Sequence, residues 1–111
     1  MIEKKIGKIN RVSFGWGGYQ DVMIGISFTL SSDKDGWGTS DFRGTWGTEW
    51  TKTCKWTEQD RINLLGKMVM NLAGLLSKAK VQNITELKGT PVEVTFIDSK
   101  LKSWRILEEI I

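Results

Sequence analysis

From Thr57 to Ala79 the chain keeps one helical period, with Ile62, Leu65, Val69, Leu72, Leu76 and Ala79 recurring every three or four residues and Met68 and Leu75 widening the stripe. That pattern predicts a core-facing amphipathic helix over 57–79. Thr57 followed three residues later by Asp60 supplies a capping-box start, with Asp in place of the usual Glu or Gln. Gly66 and Gly74 each weaken the helix by about 1 kcal/mol relative to Ala, and they read as positions where it lies close on a sheet. The seam is too short for a coiled coil, so the chain's own sheet is the expected partner.

Both flanks of the helix carry the two-residue period of strands. Residues 21–30 alternate most cleanly, with Val22, Ile24, Ile26, Phe28 and Leu30 on one side. Residues 3–14 form a first strand with a fault in its phase. Ile6 and Ile9 cannot share a face of a regular strand, nor can Ile9 and Val12, so a bulge is expected near Lys8–Arg11. Residues 37–46 make a third strand, weakened by glycines. Asn83-Ile84-Thr85-Glu86 reads as a second, short helix that Gly89 stops. Val92, Val94 and Phe96 mark a fourth strand, and residues 101–107 a fifth that carries Trp104 into the core. The expected fold is a single α+β domain over 1–111. Its order is β-β-β-α-α-β-β, a mostly antiparallel five-stranded sheet with one long amphipathic helix packed on one face.

The stretch from Phe14 to Trp56 holds Trp16, Trp37, Trp46, Trp50 and Trp56, together with Gly15, Gly17, Gly18, Gly36 and Gly38. Glycine permits sharp turns and close approach, and tryptophan is favoured where a surface grips a partner. Trp37 and Trp46 are also fit to fill a small core, and Trp56 to pack over the first helical turn. Gly15-Trp16-Gly17-Gly18 reads as a turn that leaves Trp16 exposed, with Tyr19, Gln20 and Asp21 adding donors and acceptors. Trp16, Tyr19, Gln20 and Asp21, with Trp37 and Arg43, are the candidate binding residues. An aromatic, an amide, a carboxylate and a guanidinium suit a nucleobase or a partner's side chains.

Most catalytic chemistry lacks its residues. The chain has no histidine and one cysteine, Cys54. Ser-His-Asp and Cys-His catalysis, histidine acid–base work, His-containing zinc sites, Cys₄ sites and CxxC redox motifs are all ruled out on that count. Carboxylates remain at Asp21, Asp33, Asp35, Asp41 and Glu49. Asp33 and Asp35 before Gly36 lack the distal ligands of a calcium loop and read as a turn. The expectation is therefore a protein that is not an enzyme, with no catalytic residue, no metal and no cofactor. The net charge of +3 permits contact with nucleic acid without demanding it. Basic residues gather modestly at Lys4, Lys5, Lys8 and Arg11 and at Lys100, Lys102 and Arg105. The apolar run Met68–Leu76 is too short to span a bilayer, and the first residues carry no apolar signal segment, which reads as a cytoplasmic protein.

Several strings carry a likeness: Phe14-Gly15-Trp16-Gly17-Gly18-Tyr19-Gln20-Asp21, Met23-Ile24-Gly25-Ile26, Gly36-Trp37-Gly38 with Ser40-Asp41-Phe42, Lys55-Trp56-Thr57-Glu58, Leu75-Leu76-Ser77-Lys78-Ala79-Lys80-Val81, Pro91-Val92-Glu93-Val94-Thr95-Phe96 and Leu101-Lys102-Ser103-Trp104-Arg105-Ile106. Together they resemble a family of small proteins encoded by tailed bacteriophages and prophages. The resemblance implies a protein made in the cytoplasm of an infected or lysogenic bacterium, and supplies no catalytic residues. It implies action by binding. The first expectation is an anti-defence inhibitor or sequestering protein that takes a host protein or a small nucleotide-like ligand through the Gly/Trp-rich region. The alternative is an accessory protein of phage replication or recombination that binds single-stranded nucleic acid, with Trp16, Tyr19 and Trp37 stacking and Lys8, Arg11 and Arg43 on phosphates. A homodimer is compatible with either.

Overall fold

The computed structural model describes residues 1–47 and 51–111, so Glu49 and Trp50 lie outside the described residues. Five strands, β1 (Ile2–Gly17), β2 (Met23–Ser32), β3 (Trp37–Trp46), β4 (Pro91–Ile97) and β5 (Lys100–Ile106), form one sheet in the order β3-β2-β1-β4-β5. Every pairing is antiparallel. The long helix α1 (Glu58–Ala79) falls between β3 and β4 in the chain. Its start is the predicted capping box: Thr57 Oγ1 accepts from the Asp60 amide, and the Asp60 carboxylate accepts from the Thr57 amide. The expected second helix is a single 3₁₀ turn, Ile84–Leu87, and Asn83 makes no side-chain cap to it.

β1 is the spine of the sheet. Ile2–Lys8 pair with β4 and Lys8–Gly17 with β2. The register slips between Ile9 and Arg11, which is the bulge that the phase fault demanded. One extra residue, Asn10, lets Ile9 and Val12 both turn inward. Ile9 is fully buried opposite Leu30, and Val12 sits opposite Phe28.

The sheet then curls until the inward side chains of its two edge strands meet. Trp104 on β5 packs edge-on against Phe28 at 5.1 Å. Its indole Nε1 donates to Asp41 Oδ2 on β3 at 2.7 Å. Gly25 and Gly44, directly paired, help the bend: a Cβ on either would run into the backbone of the other's strand. The result is a partly open barrel filled by Ile9, Ile26, Phe28, Leu30, Val92, Val94 and Ile106. α1 lies at the opening, touching β3, β5 and the 3₁₀ turn.

That placement narrows the buried face of α1 within the predicted stripe. Met68, Leu75 and Ala79 are buried, and Leu65, Leu72 and Leu76 pack beside them. Ile62 and Val69, expected inside, are 56% and 59% exposed. The gap between two edge strands accepts a narrower strip of helix than a flat sheet would. A Cβ at Gly66 or Gly74 would meet nothing within 4 Å, so neither glycine marks a close approach to the sheet.

Candidate functional site

The glycines of Gly15-Trp16-Gly17 do not end β1, which runs on through Gly17. The turn is Gly18–Val22, where Gly18, Gln20 and Asp21 take positive φ values of 69°, 53° and 56°. β1, β2 and β3 therefore extend beyond the Gly25–Gly44 bend as a three-stranded tip. Across it Trp16 pairs with Ile24 and Ile24 with Thr45. The Trp16 ring crosses to Gly47, where a Cβ would collide with the indole. Trp16 is nonetheless 64% exposed, with Phe14 at 58% and Tyr19 at 70%. Gln20 and Asp21 are exposed beside them, and Gln20 Nε2 donates weakly to Tyr19 Oη at 3.4 Å. Four of the six predicted residues thus share one accessible tip.

The other two do not join it. Trp37 lies at the opposite end of β3 from Trp46, about 30 Å away at the strand rise. Its ring sits over Gly7 and edge-on to Phe96 at 5.7 Å, and it packs on the core. Arg43 faces inward beneath α1. Its guanidinium covers the rings of Trp104 at 4.9 Å and Phe28 at 5.5 Å, Nε donates to Asp41 at 3.0 Å, and Nη1 donates to the Asn71 side chain. Asp41 thereby receives both Arg43 and Trp104, and the cluster ties β3, β5 and α1 together. Trp37 and Arg43 thus lie apart from the tip, each engaged in packing contacts. Trp46 and Trp56 stack on each other at 6.5 Å, with the Arg61 guanidinium over Trp56.

The basic residues fall into order on the outer face of the barrel. In the first half of β1, Lys4, Ile6 and Lys8 share that face. The bulge that brings Ile9 and Val12 inward also returns Arg11 to the outside, opposite Thr29. Beside them the outer face of β2 and β3 carries Ser27, Thr29, Ser31 and Ser40, then Phe42, whose ring occupies the space a Gly17 side chain would need. Two open clefts flank the bulge. One, of about 490 Å³, is lined by Lys8, Lys34, Ser31 and Ser32 together with Asp33 and Asp35. The other, of about 460 Å³, is lined by Asn10, Arg11, Val12, Thr85 and Lys88. Among the described residues Lys4, Lys8, Arg11 and Lys88 form no ion pair.

The second basic grouping behaves differently. Arg105 is clamped by Glu109 and Glu93 at 3.0–3.2 Å. Hydrogen bonding to Glu109 first, then to Glu93, raises the Arg105 pKa, and the same bond to Arg105 holds the Glu109 carboxyl below its ordinary range. Arg105 is already occupied by carboxylates. No cluster of metal-binding side chains occurs among the described residues, and no described helix is long and apolar enough to cross a membrane.

Reasoning from the residues alone missed Phe14, Phe42 and Lys88. Phe14 continues the alternation Val12-Phe14-Trp16, which the turn propensity of the flanking glycines masks. Phe42 and Lys88 join the surface only through tertiary placement. Comparison with known proteins finds no matching family model, no matching curated protein and no matching solved structure.

Proposed function

We propose that this protein binds single-stranded nucleic acid across the outer face of β1–β2–β3 and the Gly18–Val22 turn. Five antiparallel strands curl into a partly open barrel with a bent, shared first strand and a helix between the third and fourth. That is the layout of the oligonucleotide/oligosaccharide-binding barrel, which takes its ligand on the face of strands 2–3 and the loops joining strands 1–2 and 4–5. A layout does not dictate a function. The observation that carries the reading is the row of cations Lys4, Lys8 and Arg11 on that face, beside a hydroxyl-rich sheet that also bears Phe42; the exposed Tyr19 and Trp16 stand beyond them at the tip, Trp16 on the opposite face of β1. Phosphates would meet the cations, and bases would stack on the tip aromatics. The resemblance to phage proteins makes replication or recombination the setting. The tip aromatics alone would serve a host-protein binder equally well; the cation row favours the polyanion.

Fluorescence anisotropy with a labelled oligothymidine of about twenty nucleotides tests this. Binding should weaken as salt rises, and the double change Lys8→Ala with Arg11→Ala should lower the salt slope by about 1.4, or 0.7 per lost phosphate contact. Trp16→Ala should weaken binding by about 1–3 kcal/mol per stacked base while leaving the melting temperature near that of the parent, because the ring is mostly exposed. No binding at low salt removes the nucleic-acid reading and leaves a protein or small-molecule partner for the tip.

A further inference from the structure

We propose that the outer edge of β1 from Ser13 to Gly17 is an interface for a second copy of this chain, joined by antiparallel strand pairing. β4 covers only the first half of β1, ending at Lys8. The loop before β4 bonds the backbone of Ile9, through Thr90 O and Gly89 N, and reaches no further. Among the described residues, β2 alone makes backbone bonds to Ser13–Gly17. Every second backbone group there points along an open edge, and such an edge templates pairing with another strand.

The other edges are guarded. β3 lies against α1, and β5 carries Lys100, Lys102 and Arg105. The distal edge of β1 has none of the usual protection. In a chain with 26% charged residues, none falls between Val12 and Gln20, and the segment holds no proline.

The sequence of the edge selects the occupant. An antiparallel pair of two copies must be self-complementary about a two-fold axis. Centred on Gly15, such a pair sets Ser13 opposite Gly17 and Phe14 opposite the other copy's Trp16, twice. Gly15 falls opposite Gly15. Aromatic residues directly across an antiparallel pair are a favourable combination, and the small residues on the other face leave the strands free to approach. No like charges meet. The two tips would merge into one six-stranded sheet with four adjacent aromatics on one face. This inference stands apart from the nucleic-acid reading, and its test reads mass alone.

Light scattering with size-exclusion chromatography, over about 5 to about 200 μM, should show a concentration-dependent dimer. Gly15→Lys places like charges face to face in that pairing, while in the monomer a Cβ at Gly15 meets nothing within 4 Å. The variant should therefore keep its circular dichroism and run as a monomer. Gly15→Cys in a Cys54→Ser background should form a covalent dimer on mild oxidation, and Ser40→Cys, on the outer face of β3, should not. A parent that stays monomeric throughout overturns the proposal. So does a dimer that survives Gly15→Lys, a Gly15→Cys variant that fails to cross-link, or a dimer broken by Val69→Lys on the exposed flank of α1 instead.

Discussion

Gly66→Ala and Gly74→Ala should each stabilise the protein. Both glycines lie inside α1, where Ala is favoured over Gly by about 0.8–1 kcal/mol through backbone entropy alone. The usual reason such a gain is not realised is a neighbour in the way. Here a Cβ at either position would meet nothing within 4 Å. The two sites are eight residues apart, about 12 Å along the helix, so their effects should add. The double variant should gain about 1.6–2 kcal/mol. With an unfolding entropy near 2 cal/mol/K per residue, a chain of 111 residues shifts by about 4 °C per kcal/mol. The melting temperature should therefore rise by about 7–8 °C, read by circular dichroism at 222 nm, the ordinary helix band, and confirmed by urea unfolding with an unchanged slope. A fall in either single variant would refute the reasoning from free space. It would mean that another surface approaches α1 closely in solution, or that the helix bends at these points.

Two further outcomes follow from the packing. Leu75→Ala should cost about 2–5 kcal/mol and the half-buried Leu72→Ala about 2, whereas Val69→Ala should stay within about 0.5 kcal/mol; equal losses at positions 69 and 75 would show that the helix presents its other flank. Asp41→Ala removes the shared acceptor of Trp104 Nε1 and Arg43 Nε, and should cost about 1–3 kcal/mol in urea unfolding, with Asp41→Asn milder because one acceptor oxygen survives; an unchanged midpoint for Asp41→Ala would show that this cluster does not close the barrel.

The parts of this fold that show in the sequence are those set by neighbours a few residues away. The alternation at 21–30, the Thr57–Asp60 cap and the bulge near Asn10 were each readable, the last because Ile6, Ile9 and Val12 cannot share one face of a regular strand. The end of β1 was not readable. Gly15 and Gly17 carry turn propensity, and only the tertiary structure reveals that Phe42 fills the space beside Gly17. The curl of the sheet was equally hidden, since it rests on a hydrogen bond between residues 63 apart. Closure of the barrel then set two candidate site residues apart from the other four. Arg43 became a strut under α1 and Trp37 part of the core wall, while Trp16, Tyr19, Gln20 and Asp21 stayed together because a single hairpin holds them.

The divided pairing of β1 sets an order on how the chain assembles. Its second half finds β2 within a few residues of the turn, and β3 follows as the next strand of a local meander. Its first half has no partner until β4 exists, and Ile2 pairs with Ile97. Closing so long a stretch of chain is slow compared with forming local hairpins or helices. During synthesis, then, residues 2–8 wait unpaired while nearly the whole polypeptide is made, and only three charged residues followed by one more (Glu3, Lys4, Lys5 and Lys8) stand guard over Ile2 and Ile6 in the interval. Docking of the β4–β5 hairpin onto that waiting strand would be the last and slowest step, and the one most exposed to capture by another nascent chain.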